Sequence, residues 1–248
     1  LALFYFLKMN HPYVSYLNIE EKKLAQQFAD KHGLTFASPR QIRIKKGSKL
    51  VIWITKDQIL LQDLDDKNSK PFFLNFRLLE KEKSDRGLLK KCFSKFDKSC
   101  KVFDLTAGFC QDAYCISNMG FEVIAYEKES WLFEFTKSCM NFLKKENLKL
   151  INLNSLEAFN TFTQKDILFV DPMFEVNSKS LAKKEIQFLR KCIPGSPERE
   201  IIDASINSSA GLIVIKRHKL SNTKHSIKPS YVIKGKVVSL EVFDRRGL

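Results

Sequence analysis

Residues 102–114, VFDLTAGFCQDAY, run an apolar strand into Asp104, turn through the small residues Thr106, Ala107 and Gly108, and open a helix at Asp112. In an open parallel sheet, ligands bind outside the carboxyl ends of the strands, where loops and helix N-termini converge. The sequence around this stretch repeats the same grammar. Apolar runs KVFDL, FEVIAYE, LKLINLN, DILFVD and GLIVIKR alternate with the helix-like DAYCISNMG, SWLFEFTKSCMNFLKKENL and SLAKKEIQFLRKC. That alternation predicts right-handed crossovers in a mainly parallel sheet, an α/β fold. The tail SYVIKGKVVSLEVFD, with Gly235 near its middle, reads as an antiparallel hairpin at the edge of that sheet.

Upstream the pattern differs. IEEKKLAQQFADKH, residues 19–32, places Ile19, Leu24, Phe28 and Ala29 on one helical face, and Gly33 stops it. KLVIWITKDQILLQDLDD reads as two strands and KPFFLNFRL as a third, while the opening LALFYFLKMN is read as another strand, too short to span a membrane. The expected organisation is a small N-terminal α+β domain, residues 1–82, followed by a larger domain, residues 83–248, across the charged junction LEKEKSDRG.

The chain has 248 residues, with 42 Lys+Arg against 28 Asp+Glu and a net charge of +14, a field that favours polyanionic partners, nucleic acid first. Six cysteines form no CxxC pair and no zinc spacing with the four histidines, so neither a metal nor a disulfide framework is expected. With no secretory signal or anchor in view, reduced thiols and a cytoplasmic location are the expectation.

The candidate site residues all fall at strand ends. Asp104 closes the first strand of the large domain, and Gly108 and Asp112 follow in the turn. Glu127 ends the second strand, where a carboxylate can accept hydrogen bonds from both hydroxyls of a ribose. Asn154 and Ser155 end the third, suited to an adenine edge, and Asp171 ends the fourth. The turn lacks GxGxxG, which disfavours a pyrophosphate-bearing dinucleotide and favours S-adenosylmethionine, a nucleoside cofactor without phosphate. The tetrad Asp171-Pro172-Met173-Phe174 suits methylation of an exocyclic amine: Asp171 and the Pro172 carbonyl would accept the two amine hydrogens, and Phe174 would stack on an extruded base.

In order and spacing, FDLTAGFCQDAY, AYEKES, LNSL, FVDPMF, KSLAKKEIQFLRK and LIVIKR closely resemble the RsmJ family, ribosomal small subunit methyltransferase J. The resemblance covers most of residues 50–248. It implies a class I, Rossmann-like S-adenosylmethionine-dependent methyltransferase that modifies the N2 amine of a guanine in 16S ribosomal RNA, so that the expected partner is that RNA or the small subunit. Carried over by position, cofactor contacts fall on Gln111, Asp112, Glu127, Lys128, Asn154, Ser155 and Asp171. Two stretches depart from the family pattern. Gly108-Phe109-Cys110-Gln111-Asp112 stands where the family usually reads Gly-Leu-Gly-Arg-Asp, and Glu175 stands where Pro is usual. Cys110 crowds this turn unless its backbone stays at negative φ.

For RNA phosphates the candidates are Lys179, Lys183 and Lys184, with Arg190 and Lys191 on the same helix, and Lys216 and Arg217 at the end of the fifth strand. RQIRIKKGSK, residues 40–49, extends the basic surface. Two other readings stay open on the residues alone: a basic RNA-binding protein that keeps the fold with weakened cofactor binding, and an amino-methyltransferase acting on another nucleic-acid base.

Overall fold

The computed structural model describes residues 11–45, 47, 49–79, 86–172, 184–193, 198–219, 225 and 227–247. In chain order the elements are β1 (Tyr13–Tyr16), α1 (Lys22–His32), β2 (Thr35–Phe36), α2 (Pro39–Ile44), β3 (Leu50–Ile54), β4 (Ile59–Asp63), α3 (Phe76–Leu79) and α4 (Arg86–Phe93). They continue with β5 (Lys101–Asp104), α5 (Gln111–Ser117), β6 (Glu122–Glu127), α6 (Ser130–Met140), β7 (Leu148–Asn152), β8 (Ile167–Val170), α7 (Lys184–Cys192), α8 (Glu198–Asn207), β9 (Leu212–His218), β10 (Tyr231–Lys234) and β11 (Val238–Asp244). The described residues fall into two units: those up to Leu74 together with α7, and those from Asn75 onward without it. The predicted boundary at 82/83 and the predicted strand over residues 1–10 lie outside the described residues.

In the first unit a four-stranded sheet has the order β2-β1-β3-β4, with β1 parallel to β2 and β3, and β3 antiparallel to β4. Ala37, Ile42, Val51, Trp53 and Leu60 form its core. The Trp53 indole donates to Gln62 Oε1 at 2.8 Å, satisfying a buried polar group. The expected third strand over KPFFLNFRL reduces to one bridge, Phe72 to Leu61. Pro71 brings no backbone donor, and Asn75 starts the helical turn α3 by accepting from Arg77 N–H through its side chain. Helix α7 belongs to this unit: Phe188 packs edge-on to Phe72 and Lys191 pairs with Asp63.

The second unit holds a seven-stranded sheet in the order β10-β11-β9-β8-β5-β6-β7, parallel from β9 to β7 and antiparallel at β11 and β10. Both faces of its central strands are buried. Alternation along β5 sends Phe103 into a cluster with Leu168, Ile202, Ile206 and Ile213, while Phe93, Phe121 and Phe169 pack edge-on across the other face. Helix α6 is shorter than its apolar pattern suggests, because Asn147 donates to the Ser117 and Phe121 carbonyls and commits the chain to β7. Helix α8 carried no clear signal in sequence, since Ser205 sits among its buried apolar positions. The strand order reverses between β5 and β8, which opens a crevice at their carboxyl ends, beside Asp104 and Asp171.

Candidate active site

The turn after β5 is built from backbone hydrogen bonds. Leu105 N–H donates to Phe169 O at 2.9 Å and Ala107 N–H to Tyr126 O at 3.0 Å, which suspends the turn between β8 and β6. Glu127 fastens it from below: one carboxylate oxygen accepts Gly108 N–H at 2.9 Å and the other accepts Glu129 N–H at 2.8 Å. A carboxylate offers about four lone-pair sites, so capacity for two further donors remains.

Gly108 and Cys110 both adopt left-handed backbone, with φ of 51° and 56°. Cys110 thus does not take the negative φ that would relieve its crowding of the turn: it keeps the turn a glycine would make and accepts the cost of its Cβ there, about 1–2 kcal/mol. Cys110→Gly is expected to be more stable in urea unfolding than Cys110→Ala by about 1 kcal/mol, the reverse of the order at ordinary backbone. Equal stabilities would mean that φ relaxes in the variants.

Four ionisable side chains meet at the switch point. From β9, Lys216 Nζ donates to Asp112 Oδ2 at 2.7 Å and to Asp171 Oδ2 at 2.8 Å. Asp171 N–H donates to Thr106 Oγ1 at 2.8 Å, and Thr106 N–H to Asp104 Oδ1 at 3.0 Å. Burial is the main cause that pushes Asp104 up to about 8, with the Asp112 and Asp171 charges adding to it against Thr106 N–H and Lys216. Burial likewise raises Glu127 to about 7, against the backbone donors it holds. Asp171 is raised to about 6, by burial and by Asp112, with Lys216 opposing. At Lys216 burial acts to lower the pKa, but the Asp112 and Asp171 charges outweigh it and hold the ammonium protonated.

Asp104, Gly108, Asp112, Glu127 and Asp171 thus come together at the ends of β5, β6 and β8, as their strand-end positions imply. Gln111 is the half-buried first residue of α5, and Pro172 is buried after Asp171. Lys128 is exposed and its carbonyl accepts from Asn152 Nδ2. Asn154 accepts Leu156 N–H at 3.3 Å and caps a 3-10 turn over Ser155–Thr161, in which Ser155 is buried. Arg217 pairs with Glu241, which also meets His225. Lys184 is exposed at the start of α7, in the first unit. Phe174, Lys179 and Lys183 lie outside the described residues.

Sequence reasoning missed the Thr106 hydroxyl and the partners of Lys216. The pairing of Val170 with Ile215 brings the next residues, Asp171 and Lys216, level with each other, a signal that exists only once β8 and β9 are known neighbours. Among the described residues no group of three or more His, Cys, Asp or Glu could hold a metal ion, and no helix is long and apolar enough to cross a membrane.

The donor set fits S-adenosylmethionine (SAM). Glu127 has lone pairs left for hydroxyl donors, and with Asp104 held largely protonated near neutrality, Asp112 and Asp171 against the one lysine still leave an acidic crevice suited to a cationic sulfonium. The sequence profile of the SAM-dependent methyltransferases matches residues 35–245. The chain is 26% identical over 217 residues to the ribosomal RNA small subunit methyltransferase J of Buchnera aphidicola subsp. Schizaphis graminum, covering 80% of this chain and 87% of the relative. The protein of the same name from Legionella pneumophila strain Paris is 25% identical, over 93% of this chain and 95% of the relative. A crystal structure of a SAM-dependent methyltransferase from Neisseria gonorrhoeae superposes with a TM-score of 0.64 at 16% identity, over 94% and 96% of the two chains, and shares the fold. The strand order, the carboxylates at the switch point and the profile match over most of the chain agree: this protein belongs to the SAM-dependent methyltransferase family.

Proposed function

We propose that the protein is a small-subunit ribosomal RNA methyltransferase of the J type, acting on the exocyclic N2 amine of a guanine in 16S RNA. The observation that carries this reading is the position of Asp171, a carboxylate at the end of β8 beside the turn that follows β5, followed directly by Pro172. The names of the Buchnera and Legionella relatives support the RNA substrate, and so does the net charge of +14. Residues 39–49 of the first unit contain five basic residues and no acidic one, with Arg40 and Arg43 exposed, a surface suited to phosphates.

SAM supplies an electrophilic methyl group on a sulfonium. Asp171 and the Pro172 carbonyl accept the two amine hydrogens, keeping the nitrogen lone pair directed at the methyl carbon. As the new N–C bond forms and the S–C bond breaks, the bonding pair stays with the departing sulfur and Asp171 stabilises the positive charge that develops on the amine. The excess proton leaves through that carboxylate to water. Positioning supplies much of the acceleration. The left-handed Cys110 preserves the glycine-like turn, which speaks against a fold that has lost its cofactor.

The test is transfer of labelled methyl from SAM to 16S RNA and to small subunits lacking the modification, followed by nucleoside analysis. Label in N2-methylguanosine is the expected result. Label in an adenine or cytosine amine would overturn the guanine assignment, and label in neither would overturn the RNA assignment.

A further inference from the structure

We propose that Lys216 is a positioning residue of this site, holding the Asp171 carboxylate against the Asp112 carboxylate at the cofactor turn, and not a ligand of RNA phosphates. The inference deepens the amine-methylation reading and rests on it for its catalytic consequence.

An ammonium has three donors, and two of those on Lys216 are spent on carboxylate oxygens 2.7 and 2.8 Å away. Its side chain is 15% exposed, so a phosphate would have to displace short charge-assisted bonds to reach it. Each neighbouring element contributes a group that acts on Asp171: Asp104 from β5, Asp112 from α5 and Lys216 from β9. Of these Lys216 is the one cation. Without it Asp171 would face two carboxyl groups across a shielded crevice, where like charges drive one partner to take up a proton. A protonated Asp171 would present a donor to an amine that needs an acceptor. Lys216 therefore keeps the carboxylate ionised and fixes which oxygen is left for the substrate. Because the same ammonium also holds Asp112, it ties the acceptor end of β8 to the helix that follows the cofactor turn.

The experiment uses Lys216→Gln and Lys216→Arg in the full chain. Carboxyl-carbon NMR titration follows Asp171 without RNA or SAM, and steady-state kinetics follow methyl transfer as a function of pH and salt. In Lys216→Gln the Asp171 midpoint is expected to rise by about 1–2 pH units. The acid limb of kcat/KM should move up with it, and kcat at pH 7 should fall by about two- to tenfold. KM for RNA and its salt slope should stay as in the wild type, and Lys216→Arg should restore most of the rate.

An unmoved midpoint would overturn the proposal, as would a raised KM with a shallower salt slope at unchanged kcat, the pattern of a phosphate contact. If Lys216→Gln does not fold, Asp112→Asn gives the opposite test. There Lys216 serves Asp171 alone and the midpoint must fall; a rise or no change overturns the proposal. The titration needs no substrate, so a wild type that methylates no ribosomal RNA would sink the functional reading while leaving the role of Lys216 decided.

Discussion

Asp171→Asn should lower kcat for methyl transfer by about a thousandfold, with the dissociation constant for SAM within about threefold of wild type. Asparagine keeps the shape of the side chain and one acceptor oxygen. It loses the negative charge that stabilises the amine as positive charge builds on it, and its NH2 can point a donor where an acceptor is needed. Folding should survive, because Lys216 retains Asp112 and Thr106 still accepts the backbone N–H of residue 171. Single-turnover rates with saturating SAM and RNA measure the effect. A variant within tenfold of wild type would remove Asp171 from the chemistry and leave it a structural strand end.

The second large effect concerns Glu127. Replacement by Gln should weaken SAM binding by about a hundredfold, since hydrogen bonds from hydroxyls to a charged, shielded acceptor are among the strong ones. The pH dependence gives a sharper signature. Burial holds Glu127 at about 7, so the ionised form that ribose hydroxyls favour is lost as pH falls through neutrality. Wild-type affinity should drop about tenfold between pH 8 and pH 6, whereas Glu127→Gln should be nearly flat.

Stability of the ligand-free protein runs the opposite way. A carboxyl group whose folded pKa lies above its unfolded value contributes stability that is fully present below the unfolded pKa. That contribution is lost as pH rises through the folded pKa, here about 6 for Asp171, 7 for Glu127 and 8 for Asp104. The thermal shift produced by SAM should therefore be larger at pH 8 than at pH 6. Calorimetric titrations at several pH values, paired with melting curves, test both statements; a wild-type affinity that is flat across neutrality would remove Glu127 from the cofactor site.

How much of the fold and site is legible in the sequence follows from the range of the forces involved. Strand alternation and the carboxylates at strand ends are local patterns, and they suffice to place Asp104, Glu127 and Asp171 at the carboxyl edge of the sheet. Cofactor identity follows from what the turn lacks as much as from what it contains. The Lys216 bridge is not legible, because its partners sit on β8 and α5, far away in the chain, and a lysine after an apolar run looks like any solvated cation. The basic spacing of KKEIQFLRK is visible, yet nothing local shows that Phe188 meets Phe72 and Lys191 meets Asp63, which bring α7 to the first unit. Cys110 misleads for a different reason. Residue preference argues against a left-handed cysteine, but the hydrogen bonds of Ala107 and Gly108 to β6 on one side and the start of α5 on the other leave the turn no other path.

Glu127 joins two duties that many proteins keep apart, since the carboxylate proposed to hold the ribose also pins Gly108 and Glu129. A ligand that binds only the folded chain adds stability in proportion to the logarithm of its concentration over its dissociation constant. In a cell, the amount of intact enzyme would then follow the supply of methyl donor: starvation for SAM would loosen the turn, expose the chain to proteases and lower its abundance as well as its turnover.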